Sequence, residues 1–132
     1  MGAKANLVNE SKTFLTGMDS VVIRHYVAGI IGGRTLDMTG FAEDVIKAGH
    51  VVIQSTTDET IFKPMPVKGG KYDALPADFK YAGVVVCTKP AAEPMVGIMY
   101  SGEVNDVASP YPVDDIKAAI KAELPTLVFM HD

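Results

Sequence analysis

Glycine and proline interrupt this chain so often that no stretch is left for a long helix. Twelve glycines and eight prolines are spread through 132 residues, and short β-branched runs such as HVVIQ at 50–54 and GVVVC at 83–87 lie between them. Valine and isoleucine suit a pleated, half-buried surface, and the Gly and Pro clusters mark where each run turns. The patterning predicts a mainly β (α+β) domain, a small barrel or sandwich with one or two short helices.

Element by element, 21–31 (VVIRHYVAGII) reads as a strand closed by a turn at Gly32-Gly33. Residues 41–47 offer one or two helical turns with Phe41, Val45 and Ile46 on one side, and Gly49 is placed to stop them. A strand at 50–54 leads into the polar turn 55–59, and 60–62 is short and β-like. Pro64 and Pro66 put 63–67 at a sheet edge. Gly69-Gly70 marks a turn, and 73–80 has room for a short helix. Residues 83–87 read as the clearest buried strand. Two more, 95–100 and 103–107, are divided by Ser101-Gly102 as a tight hairpin. After the rigid SPYP turn at 109–112, Asp114 or Asp115 is placed to cap a helix over 116–123. Ile116, Ile120 and Leu124 recur every four residues, giving that helix one apolar stripe for the core. Pro125 ends it, and 127–130 is a last strand.

Residues 1–18 follow neither period and divide from 19–132 as an N-terminal arm. Such a segment either frays or docks on a neighbouring subunit or partner. Phe14 and Leu15 would anchor a docked arm, with Leu7, Lys4 and Lys12 assisting.

Charge narrows the functions. Net charge is -4, from 12 Lys+Arg against 16 Asp+Glu, which argues against nucleic acid as the main partner. The first eighteen residues hold two lysines and one acid, while the last thirty hold six acids and two lysines. That asymmetry can steer an encounter. No apolar run approaches the ~18 residues of a membrane span, and 1–13 is too polar for a secretory signal. The single cysteine, Cys87, excludes an internal disulfide and multi-cysteine zinc sites. Its place in GVVVCT predicts an inert thiol in the structural core.

Candidate chemistry is sparse. The glycines at 29, 32 and 33 lack the Lys-Ser/Thr of a phosphate loop and the spacing of a dinucleotide fingerprint. His25, His50 and His131 fall on different elements without paired metal-ligand spacing. Asp114 and Asp115 are adjacent, so on a helix they point apart. The residues therefore predict no enzyme, no cofactor and no metal.

Three stretches, taken in order, resemble the head decoration and head fibre proteins of tailed bacteriophages. GRTLDMTGF at 33–41 with VIKAGHVVI at 45–53 is similar to the family's passage from a turn into the barrel. YAGVVV at 81–86 with PMVGIM at 94–99 resembles its pair of central strands. GEVND at 102–106, IKAAIKAELP at 116–125 and LVF at 127–129 are similar to its ending. The resemblance covers about 33–129 and departs from the smallest members at 57–80. It implies a β-tulip-like barrel, a homotrimer on the outer capsid surface of the virion, made in the host cytoplasm, with the major capsid protein as partner. An arm reaching the capsid is a recurrent family feature, and no catalytic residues carry over. Two other classes remain open: a small β-barrel ligand-binding or enzyme domain, and a module that binds carbohydrate on a host surface.

Overall fold

A computed structural model describes residues 14–131. A one-turn helix α1 (Asp19–Val22) leads into β1 (Ile23–Gly29), followed by β2 (Arg34–Thr35), β3 (Val45–Ile46), β4 (Val51–Ser55) and β5 (Phe62–Pro64). Next come β6 (Val67–Lys68), β7 (Lys71–Tyr72), β8 (Phe79–Val85), β9 (Lys89–Pro90), β10 (Met95–Val96) and β11 (Ile98–Val104). Helix α2 (Lys117–Glu123) and β12 (Leu127–Phe129) close the chain. The fold is mainly β, as the patterning predicts.

The principal sheet runs β1-β11-β8-β4-β5, with β12 added to β11. Its neighbours are antiparallel except β12, which lies parallel to β11. Of the two expected forms, barrel or sandwich, the described residues do not close into a barrel: the path ends at β1 on one side and β5 on the other. Two-residue pairs, β2 with β10, β3 with β9 and β6 with β7, stand apart as separate small sheets.

The sheet is buried on both faces, which explains its unbroken apolar runs. Val51, Ile53, Tyr81, Val84 and Met99 face one core, completed by Val113, Ile120 and Leu127. Val52, Ala82, Val85 and Ile98 face the other, completed by Leu36, Ile46, Phe62 and Val96. Successive strand residues point to opposite faces, so a VVI or VV run is read by two cores at once.

Several local expectations are corrected. Ser101-Gly102 is no hairpin; β11 runs straight through it, and the strands expected at 95–100 and 103–107 are β10, then one continuous β11. A Cβ on Gly102 would lie 2.3 Å from the His25 carbonyl oxygen, and φ there is 145°. The glycine therefore permits close backbone approach by β1 instead of a turn. The helix expected at 41–47 is replaced by β3, whose β-branched pair joins β9. No helix forms at 73–80, where Pro76 and a left-handed Asp78 (φ 65°) break any helical run. Neither Asp114 nor Asp115 caps α2, since Ile116 holds the N-cap position without a side-chain bond. Their carboxylates instead lie 4.0 Å from Lys117 and 3.8 Å from Lys71.

Gly69-Gly70 does form the expected turn, with positive φ at both residues between β6 and β7. On α2, Ile120 is only 1% exposed, and Ile116 and Leu124 pack half-buried against the same core.

Candidate docking surface and the histidine cluster

The root of the arm is held by a side-chain clamp. The Thr88 hydroxyl and backbone N–H donate to the two carboxylate oxygens of Asp19, at 2.6 and 2.8 Å. The same hydroxyl oxygen accepts from the Ala48 N–H at 3.1 Å. A carboxylate taking two donors is a strong, directional tie, and it joins α1 to the β8–β9 connection across 69 residues of sequence. Phe14 then lies over a recess formed with Thr88, Pro90, Glu93 and Met95.

That recess runs into a shallow groove through shared Lys89 and Met95. The groove adds Tyr26, Ile30, Val86 and Cys87. Met95 in its lining is 61% exposed, and two large apolar side chains next in sequence to lining residues also stand in solvent, Leu15 at 91% between Phe14 and Thr16 and Ile31 at 94% between Ile30 and Gly32. Edge strand β1 adds exposed Tyr26 and Val27. Of the arm residues proposed as anchors, Phe14 and Leu15 fall here, whereas Lys4, Leu7 and Lys12 lie outside the described residues.

Cys87 corrects the structural-core expectation: it is exposed. Strand β8 ends at Val85, two residues before it, so the burial of GVVV does not extend to the thiol. It sits instead on the lip of the groove.

A second polar feature sits at the entry to β4. Left-handed Gly49 (φ 88°) turns the chain so that His50 points inward, 1% exposed. Nε2–H of His50 donates to the Met65 carbonyl at 3.1 Å, because a carbonyl only accepts. Three rings meet the imidazole edge-on: Tyr72 at 5.4 Å, Tyr111 at 5.7 Å and Phe41 at 5.8 Å between centroids. Burial drives the His50 pKa down to about 4, against a smaller opposing effect of the Met65 bond. Burial likewise raises the Tyr72 hydroxyl, whose oxygen accepts from the Val51 N–H. No reading of the sequence brought these rings together. Phe41, Tyr72 and Tyr111 are far apart in the chain, and the only local signal was a histidine directly ahead of a buried run.

The three histidines are not assembled. His25 lies on β1 opposite Glu103, and His131 Nδ1 binds Asp106 Oδ1 at 2.8 Å. Asp106 also receives Lys117 Nζ at 2.7 Å. That bond, helped by His131, holds its carboxyl at about 2 against the smaller effect of burial. Among the described residues no three His, Cys, Asp or Glu side chains group as metal ligands. No helix among them is long and apolar enough to cross a membrane.

No protein-family model, curated protein or solved structure matches the chain.

Proposed function

We propose that this chain is a head decoration or head fibre protein of a tailed bacteriophage. It binds the major capsid protein on the outer capsid surface as a homotrimer and acts by contact. The observation that carries the reading is the exposed apolar surface at the arm root, where Tyr26 and Met95 line a groove, Phe14 and Met95 line the recess joined to it, and Leu15 and Ile31 stand exposed next in sequence to lining residues. Exposed apolar side chains grouped around a groove are the usual mark of an interaction site. The sequence resemblance over 33–129 supplies the identity of the partner.

The physics suits a cement. Each copy offers a modest contact, and three linked copies gain roughly 10² to 10⁴ in avidity through effective concentration. A closed trimer also avoids open-ended assembly. The Asp19–Thr88 clamp fixes where the arm leaves the body, so that three arms would leave a trimer in a defined arrangement.

Cosedimentation with purified capsids is the test. The full chain should pellet with capsids, and a chain lacking 2–16 should remain trimeric yet pellet far less. Failure of the full chain to pellet with the capsids of its own phage would overturn the reading. Unchanged pelleting of the truncated chain would move the contact from the arm to the body.

A further inference from the structure

Above the His50 ring lies a cleft that the docking surface does not use. Its inner lobe has a volume of about 160 Å³ and is walled by Phe41, Pro110 and Tyr111, with Glu43 and Lys47 beside His50. An outer lobe of about 320 Å³ shares Phe41, Glu43 and Tyr111 and adds Thr39, Lys63 and Met65. The two lobes therefore meet over the same pair of aromatic rings.

The rings are braced from below. Tyr111 packs edge-on against both His50 and Tyr72, with centroids 5.7 and 5.5 Å apart, and Phe41 packs against His50. Edge-to-face packing holds rings in defined orientations, so the wall is preorganised for a ligand. Nε2 of His50 is committed to Met65. No fully buried side-chain nitrogen or oxygen among the described residues is left unpaired. His50 lines the floor of the inner lobe but is itself only 1% exposed, so the charged groups a ligand reaches there are those of Glu43 and Lys47.

Charge decides the ligand class. Glu43 and Lys47 put one acid and one base around the inner lobe, and Glu43 and Lys63 both line the outer one. An anion meets Glu43, and a quaternary ammonium meets Lys47. A neutral polyol can donate to the Glu43 carboxylate and accept from the Lys47 ammonium. A pyranose also presents one C–H face that fits an aromatic wall, with hydroxyls around its rim.

We propose that this cleft binds a neutral sugar ring, with the next ring of the same glycan in the outer lobe. The site is separate from the groove at the arm root and does not depend on the capsid reading. A glycan-binding chain that fails to pellet with capsids, and a capsid-binding chain that ignores sugars, are distinct results.

The test is saturation-transfer NMR and calorimetry on the full chain. The probes are glucose, galactose, mannose, N-acetylglucosamine and their β- and α-linked disaccharides, with choline and inorganic phosphate as charged controls. At least one sugar should bind with millimolar affinity, its disaccharide more tightly, and saturation should transfer from the Phe41 and Tyr111 rings. Tyr111→Ala should weaken binding by roughly tenfold or more. Glu43→Gln, at an exposed position that leaves the fold intact, should weaken it several-fold. If no sugar binds up to roughly 50 mM, the proposal fails. It also fails if choline or phosphate binds in place of the sugars, or if Glu43→Gln leaves sugar affinity unchanged.

Discussion

His50 is the residue at which the cost of burial is easiest to measure. Its folded pKa of about 4 lies below the ordinary histidine value of 6.5, so the unfolded chain binds the extra proton first as pH falls. Stability is therefore full above about pH 6.5, declines between about 6.5 and 4, and levels off below that. The whole effect is about 3 kcal/mol. Urea unfolding at intervals from pH 8 to 4 should show this decline, and His50→Gln should remove most of it. A wild-type curve flat across that range would show that the imidazole is not buried neutral. Asp106 works in a lower window. Its carboxyl is depressed to about 2 by Lys117 and His131, so its contribution is present above about pH 4 and lost only as pH falls towards 2. The two groups thus separate on the acid limb. Cys87 makes a contrasting case. Exposed on the groove lip, it should be labelled by a maleimide in the native protein without unfolding. Cys87→Ser should change stability by no more than about 0.5 kcal/mol. Protection of the thiol until the chain unfolds would restore a core position for it.

Helix α2 shows how little helix this fold needs. Seven residues cannot hold a helix alone in water, since nucleation is too costly at that length. Tertiary packing supplies the stability, with Ile120 buried in the core shared with Tyr81, Val104 and Leu127. Ile120→Ala should cost about 2–5 kcal/mol in chemical denaturation, and a loss below about 0.5 kcal/mol would mean that the helix is not seated there. Ile116→Ala and Leu124→Ala should cost less, because both positions keep part of their surface in water. The central strands make the same point differently. Gly83 on β8 has φ 152°, and a Cβ there would stand 2.3 Å from the Met99 carbonyl oxygen. The contact lets β8 and β11 approach, and the alternation of faces resumes past it with Val84 in one core and Val85 in the other.

At the scale of the whole molecule, the principal sheet ends at β1 and β5 among the described residues. A sheet edge bordered by exposed Tyr26 and Val27 and unpaired with any other described strand is a hazard for a monomer and a resource for an assembly. On the proposed reading the chain is a trimer at micromolar concentration, with an interface on the order of 2,000 Å² or more. Light scattering coupled to size exclusion reads this directly, and a monomer would count against capsid decoration as proposed. The register of β1 on β11 slips at three places. Such bulges bend and twist an edge strand, which disfavours open-ended strand addition.

Much of this architecture was legible before any coordinates. Gly and Pro spacing forecast a mainly β chain of short strands, since those residues end strands for local steric reasons. The four-residue recurrence at 116, 120 and 124 located the late helix, and Gly69-Gly70 located a turn, because each depends only on near neighbours. Composition could not tell a glycine that turns the chain from one that admits another strand, so Ser101-Gly102 read as a hairpin until the His25 carbonyl was seen beside it. Nor could it show that GVVV leaves its burial behind before Cys87, because the end of β8 is set by its pairing with β4 and β11. The cleft was the least visible feature. Phe41, His50, Tyr72 and Tyr111 lie on four separate segments, and only tertiary packing brings the other three rings within 6 Å of His50 and Tyr72 within 6 Å of Tyr111. Contacts among residues distant in sequence leave no periodic trace in a single chain. Where the sheet ends among the described residues is hidden from the sequence for the same reason: local pattern specifies a strand, whereas closure depends on how strands distant in sequence pair.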